Sequence, residues 1–136
     1  MAYPDPDTLA PDAALIEALA LTVIDALPEA YCAAARAIVL RVEEFPTDEM
    51  VESLGIDDPF ELSGMYDGVP LTERSVMDQP VRPDAIWLFR RPILDEWAER
   101  GNVTLAELVA HVLVHELAHH FGWSDDDIAA VDPWWE

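Results

Sequence analysis

The sequence predicts a mixed fold of helices and strands, of the α+β class, in which a small sheet packs against helices. Two observations lead to this prediction. Several segments repeat apolar residues every three or four positions, as amphipathic helices do. Two short runs are rich in β-branched and bulky apolar residues, which is typical of strands. The chain has 136 residues, enough for one core, and we therefore expect residues 1–136 to form a single domain.

The first half of the chain is predicted to contain three helices and one strand. The helices cover residues 11 or 12 to 27, 29–37 and 47–54, and the strand covers 38–45. Pro28 ends the first helix, since proline cannot continue it. Thr47 is an N-cap residue by type, and Gly55 suits the position after a helix end. Residues 1–10 are acidic and proline-rich, and we expect a flexible N-terminal arm.

The second half begins with a segment that is predicted to be mostly loop. Residues 55–83 contain four prolines and three glycines, and the sequence of 66–69 suggests a turn, which in one interpretation joins two short strands. The bulky apolar run 84–90 is predicted to be a second strand. A helix over 93–100, ending at Gly101, follows it.

The last long helix carries the most informative part of the sequence. Thr104 and Glu107 form a capping box that marks its start. Its end is expected near Phe121, because Gly122 can adopt the left-handed conformation that turns the chain back. The residues of its apolar stripe, which we expect to pack on the sheet, are Leu105, Leu108, Val109, Val112 and Leu113.

This helix contains the motif H-E-x-x-H, formed by His115, Glu116 and His119. Two histidines four positions apart lie on one helix face, about 5–6 Å apart at Cβ, so both imidazoles can bind one zinc ion. Glu116 is turned about 100° from His115 around the helix axis. Its carboxylate therefore lies beside the ion, where it can take a proton from a zinc-bound water.

The third metal ligand is expected to be Asp125, which follows the glycine turn. A catalytic zinc site usually has three protein ligands and one open position. A competing interpretation makes Ser124 an N-cap and the neighbouring aspartates favourable charges at the start of a further helix. The other carboxylates downstream of the motif are Asp126, Asp127, Asp132 and Glu136.

Four other polar residues were considered for supporting roles. His111 lies one turn before His115 on the same face, and we interpret it as a partly buried structural residue. His120 points away from His119, and we place it either behind the ligands or at the surface. The donor that stabilises the oxyanion is not identified by the sequence, and Tyr66, His111 and Arg90 are the candidates.

The net charge is −21, with 28 acidic residues against seven basic ones, all arginine. Such a surface repels phosphate backbones and anionic lipids, so we expect neither nucleic-acid nor membrane partners. The single Cys32 cannot form an intramolecular disulfide, which favours a reducing compartment. The N-terminal sequence lacks the basic start and apolar run of a secretory signal. We therefore expect a cytoplasmic protein.

The chain resembles a small bacterial family of zincin-like metallopeptidases with a minimal zincin fold. The resemblance lies in residues 62–74, 86–93 and 115–125, and the most specific part extends H-E-x-x-H to H-E-x-x-H-x-x-G-x-x-D. It implies a compact α+β domain whose metal lies in a cleft beside an edge strand. It also implies His115, His119 and Asp125 as ligands and Glu116 as the base.

The function predicted from the sequence is zinc-dependent hydrolysis of peptide bonds, with one zinc ion per chain. Glu116 would activate the zinc-bound water. No second domain is available to form the far wall of a substrate groove, so the substrate is expected to be a flexible peptide or protein segment, or a partner protein completes the groove. The alternatives are a non-catalytic zinc-binding or interaction domain with the same fold, and a hydrolase of a non-peptide amide.

Overall fold

The computed structural model describes residues 10–68, 83–123 and 126–127. The helices are α1 (Ala13–Asp25), α2 (Glu29–Arg36), α3 (Asp48–Ser53), α4 (Arg90–Arg100) and α5 (Leu105–Phe121), and Pro59–Glu61 forms a 3-10 turn. The strands are β1 (Val39–Glu43), β2 (Gly64–Asp67) and β3 (Ala85–Phe89). This mixture of helices and one small sheet confirms the predicted α+β class.

Three helices begin where their capping residues predict. Asp12, Thr47 and Thr104 each accept a hydrogen bond from the backbone N–H three positions later, at 2.9, 3.2 and 3.0 Å. Such a bond satisfies one of the backbone donors that the first turn of a helix leaves without an intrahelical partner. The starts of α1, α3 and α5 are therefore fixed by local chemistry.

The sheet has the strand order β1-β3-β2. β1 runs parallel to β3, with Val39 opposite Ala85, and β2 runs antiparallel to β3, with Tyr66 opposite Ile86. The central strand β3 is buried along most of its length. β2, the outer strand on one side of this described sheet, contacts α5, so it lies beside the helix that carries the motif.

The turn predicted at residues 66–69 is wrong for its first two positions. Tyr66 and Asp67 belong to β2, and the ladder with β3 pairs Asp67 with Ala85. Their local sequence resembles a turn because an aspartate is followed by a glycine. Pairing with a strand about twenty positions later outweighs that local preference. Residues 69–82 lie outside the described residues.

Helix α4 starts three residues earlier than predicted, because β3 leads into it without a loop. Its first residue, Arg90, follows the last residue of β3 directly. Pro92 lies in the first turn, where a missing backbone N–H removes no helical hydrogen bond. The Nε of Arg90 donates to the carbonyl of Pro11 at 2.7 Å, and its Nη1 donates to Glu44 at 2.8 Å. This arginine therefore ties the junction to two other segments.

The core lies between α5, α1 and the sheet. The whole predicted apolar stripe of α5 is buried, and Leu108, Val109 and Leu113 have no exposed surface. Ile16 and Ala20 of α1 face this stripe from the other side and are also fully buried. Within the described ranges, no helix combines the length and the apolar character that a membrane span needs.

Candidate active site

Helix α5 presents the two histidines of its motif to solvent and its apolar stripe to the core. His115 and His119 are exposed, while Leu113 and Leu117 are fully buried. The histidines and the leucines form two separate faces because side chains three and four positions apart point in the same direction. The motif histidines are therefore accessible from outside, on a helix whose other face is fixed by packing.

The end of α5 is held by a glycine turn and by aromatic packing. Gly122 has φ 67° and ψ 36°, in the left-handed region, and the N–H of Trp123 returns to the carbonyl of Ala118 at 3.0 Å. The ring of Tyr31 packs edge-on against Phe121 and Trp123, with centroids 5.1 and 5.0 Å away. These contacts fix the last turn of the helix, which includes His119.

A cavity of about 380 Å³ opens beside the motif. Glu116 and His119 form its α5 side, and residues of β2 and of the segment before β2 form the opposite side. The lining residues are Leu54, Leu62, Gly64, Met65, Tyr66, Gly68, Glu116 and His119. The cavity thus brings two residues of the motif together with mostly apolar neighbours.

The close approach of β2 to α5 depends on Gly64. A methyl group at this position would lie 2.7 Å from Cγ1 of Val112 and 3.3 Å from Cγ of Glu116. Real Cβ atoms do not come that close to a packed side chain, since such overlap is strongly repulsive. The absence of a side chain at Gly64 therefore lets the outer strand lie directly against the motif helix.

Glu116 is largely removed from water by this packing. Burial raises the pKa of its carboxyl group to about 7, and a hydrogen bond from the backbone N–H of Tyr66 acts in the opposite direction. Desolvation favours the neutral form of a carboxylic acid, whereas a hydrogen-bond donor favours the carboxylate. Without metal, Glu116 therefore exchanges its proton near neutral pH. A cation bound nearby would lower its pKa.

This shift predicts that the metal-free protein loses stability as the pH rises from about 4.5 to about 7. The unfolded chain releases the Glu116 proton near 4.5, while the folded chain keeps it up to about 7. Within this range the folded state binds the extra proton, so the free energy of unfolding falls with pH. The full shift corresponds to a change on the order of 3 kcal/mol.

Glu116→Gln should remove this dependence, because glutamine stays neutral throughout. We expect the metal-free variant to be more stable than the wild type at pH 8 and similar to it at pH 4.5, as measured by urea unfolding with a chelator present. Glu107→Gln, on the exposed side of α5, controls for the loss of one charge. A stability difference that does not change with pH would contradict the burial of Glu116.

The three candidates for the oxyanion donor, His111, Arg90 and Tyr66, lie in different surroundings. His111 packs against His115 with ring centroids 4.5 Å apart, and its partial burial agrees with a structural residue. Arg90 is engaged with Pro11 and Glu44, and is not among the residues that line the cavity. Of the three oxyanion candidates, Tyr66 is the one that lines the cavity with Glu116.

His120 is buried, so its placement at the surface is wrong, while its placement behind the ligands stays a prediction. Its Nδ1 lies 3.0 Å from the hydroxyl of Tyr66 and 3.0 Å from Oδ2 of Asp84. The Tyr66 hydroxyl donates to the same Asp84 oxygen at 2.9 Å. Asp84 could not be identified as part of the site from the sequence, because nothing in the local sequence separates it from any polar residue at a strand end.

Asp125, the expected third ligand, lies outside the described residues, as does Ser124 of the competing interpretation. Asp126 and Asp127 are described, helical and exposed. Among the residues that the structure describes, no group of three histidine, cysteine or carboxylate side chains is arranged to hold a metal ion. The ligand set of His115, His119 and Asp125 therefore stays a prediction.

The model of one protein family matches most of the chain. It is the family described as zincin-like metallopeptidase, and the match covers residues 35–135. A search of curated proteins gave no match. The family match includes all three strands, the cavity residues and the motif helix, and it agrees with the predicted resemblance. The chain belongs to the zincin-like metallopeptidase family.

Proposed function

We propose that this protein is a zinc-dependent hydrolase of peptide bonds. The proposal rests mainly on one observation, which is that Glu116 and His119 line the same cavity. A general base must be within reach of the proton that it accepts, in a site that a substrate can enter. A buried carboxyl group beside an exposed histidine meets both requirements. Membership of the zincin-like family supports the same reaction class.

The residues of the site suit one zinc ion per chain. His115 and His119 are both exposed on one face of α5, and neutral imidazole is a common zinc ligand. Asp125 is proposed as the third ligand, because it follows the left-handed turn at Gly122. A set of two histidines and one carboxylate leaves a position open, as catalytic zinc sites require.

Zinc, when bound, supplies a Lewis acid that polarises a carbonyl group and makes water more acidic. Glu116 is the residue that accepts the proton of the attacking water and later delivers it to the leaving amine. Its packing against β2 keeps the carboxyl group out of bulk water, and the backbone N–H of Tyr66 orients one of its oxygens. The base is therefore held in place before a substrate binds.

The lining of the cavity favours an apolar side chain next to the scissile bond. Leu54, Leu62 and Met65 contribute to its walls, and an apolar group gains free energy in proportion to the area that it buries. The net charge of −21 favours lysine or arginine at more distant positions of the peptide, through a field that salt screens. We propose flexible, basic peptide segments in the cytoplasm as substrates, with a partner protein as a further means of completing the groove.

A peptide-library digest tests the proposal. Zinc-free protein is incubated with a diverse peptide library before and after one equivalent of zinc is restored, and new termini are identified by mass spectrometry. We expect slow cleavage that requires zinc, because a small groove offers little remote binding energy. Zinc binding without any cleavage would favour the non-catalytic zinc-binding domain. Cleavage of other amides alone would favour the non-peptide hydrolase.

A further inference from the structure

The described structure contains a buried polar cluster that the proposed reaction does not itself use. It consists of Tyr66, Asp84 and His120, which come from β2, from the residue before β3, and from the last turn of α5. The side chains of His120 and Asp84 are only 6% and 9% exposed. Burying polar groups costs free energy unless they are fully hydrogen-bonded. The hydrogen bonds within the cluster offset this desolvation cost.

The distances assign the protons of the cluster. An ionised aspartate only accepts hydrogen bonds, and the Tyr66 hydroxyl donates its single proton to Oδ2 of Asp84 at 2.9 Å. Nδ1 of His120 lies 3.0 Å from that same oxygen. The tautomer with a hydrogen on Nδ1 makes both contacts favourable, and we assign that tautomer to His120. His120 therefore donates into the cluster through Nδ1.

A glycine closes the cluster on one side. A methyl group at Gly68 would lie 2.5 Å from Oδ1 of Asp84 and 2.8 Å from the hydroxyl oxygen of Tyr66. The backbone after β2 thus passes so close to the cluster that a side chain would displace it. This contact limits how far Tyr66 can move relative to Asp84.

Tyr66 is the residue that connects the cluster to the motif. Its hydroxyl contacts Asp84 and His120, while its backbone N–H donates to the carboxylate of Glu116. His120, in turn, follows His119 directly in α5. The cluster thus ties β2 to α5 at His120, one helical turn after Glu116, whose carboxyl group accepts the bond from Tyr66.

We propose that Tyr66, Asp84 and His120 act as positioning residues, which hold the backbone N–H of Tyr66 on the Glu116 carboxylate. This inference deepens the proposed function, because it assigns to the cluster the orientation of the proposed base. The cluster locks the outer strand to the motif helix by side-chain hydrogen bonds. None of the three side chains is assigned contact with the substrate.

Hydrogen exchange of single backbone amides in the zinc-free protein tests this proposal. The amide at position 66 reports its bond to Glu116. The amide of Phe89, which donates to the carbonyl of Ser63 at 3.0 Å, reports the pairing of β2 with β3. In Tyr66→Phe, the amide at position 66 should exchange about tenfold faster relative to that of Phe89, since its hydrogen bond to the Glu116 carboxyl group is weakened.

Substitutions at His120 give an independent variant pair. Asparagine places an amide N–H near the position of Nδ1, whereas leucine offers no donor. We expect His120→Asn to retain much of the protection at position 66, and His120→Leu to lose it about as fully as Tyr66→Phe does. Tyr31→Phe is the matched control, because Tyr31 packs on the same end of α5 through its ring.

Equal acceleration of the two amides in the cluster variants would overturn the proposal, since it would mean that the cluster only stabilises the fold. Unchanged exchange at position 66 would overturn it as well. The measurement needs neither zinc nor a substrate. A protein without peptidase activity would therefore contradict the proposed function and leave the result for the cluster intact.

Discussion

Replacing His115 and His119 together with alanine is expected to abolish zinc binding. Both side chains are exposed on one face of α5, and the proposed site has a single further protein ligand. Zinc binding by protein ligands is worth about 10–16 kcal/mol in well-formed structural sites. Losing two ligands should therefore weaken the affinity by a factor on the order of 10³ or more.

Elemental analysis and competition with a chromogenic chelator measure this loss. The exposed positions of the two histidines mean that the substitutions leave the core of α5 intact, and circular dichroism should confirm a folded variant. His111→Ala serves as the matched control, because His111 packs against His115 without belonging to the proposed ligand set. One equivalent of zinc in the double variant would rule out the proposed site.

The same measurement decides the third ligand. Asp125→Ala should weaken zinc binding, while Asp126→Ala and Asp127→Ala should leave it unchanged, since their side chains are exposed in a helical turn. The reverse pattern would support the interpretation of Asp125 as part of a helix N-terminus.

Glu116→Gln is expected to retain zinc and to lose hydrolysis. Glutamine preserves the shape of the side chain but cannot accept a proton, and general-base catalysis contributes about 10²–10⁴-fold to a rate. We expect a loss of this size in kcat/KM for any peptide that the wild type cleaves. Steady-state assays of the zinc-loaded proteins measure it.

Glu107→Gln is again the control, because it removes an equal charge from the same helix outside the cavity. Activity that survives in Glu116→Gln would show that another group acts as the base. If Glu116→Gln loses zinc together with activity, then Glu116 belongs to the ligand set and its proposed role is wrong.

Features that depend on neighbouring residues could be predicted from the sequence. Thr104 and Gly122 delimit α5 because capping and the left-handed turn are local interactions. His115 and His119 share a face for the same reason, since their spacing alone sets their direction. The early start of α4 could not be predicted, because a proline such as Pro92 usually marks the end of a strand or helix. The first turn of a helix nevertheless accepts a proline.

Features that depend on distant residues could not be predicted. Tyr66 belongs to a strand only because β3 pairs with it. The burial of His120 depends on Asp84, which lies 36 positions earlier in the chain. Helix periodicity alone could not decide whether His120 is buried or exposed. The cavity is likewise lined by Leu54 and Leu62, which come from separate segments, so no local sequence pattern predicts it.

The two faces of α5 have a consequence for how this helix tolerates insertions. Each residue advances a helix by about 100°, so one residue inserted between Thr104 and His115 would rotate the whole motif by that angle relative to the start of the helix. Leu117 would then no longer lie on the same face as the buried residues that precede the insertion, such as Leu105 and Leu108, and either the core or the direction of the site would be lost. An insertion before Thr104 leaves this phase untouched. The rotational phase of α5 therefore couples the packing of the core to the direction of the site, and length variation is compatible with both only outside the helix.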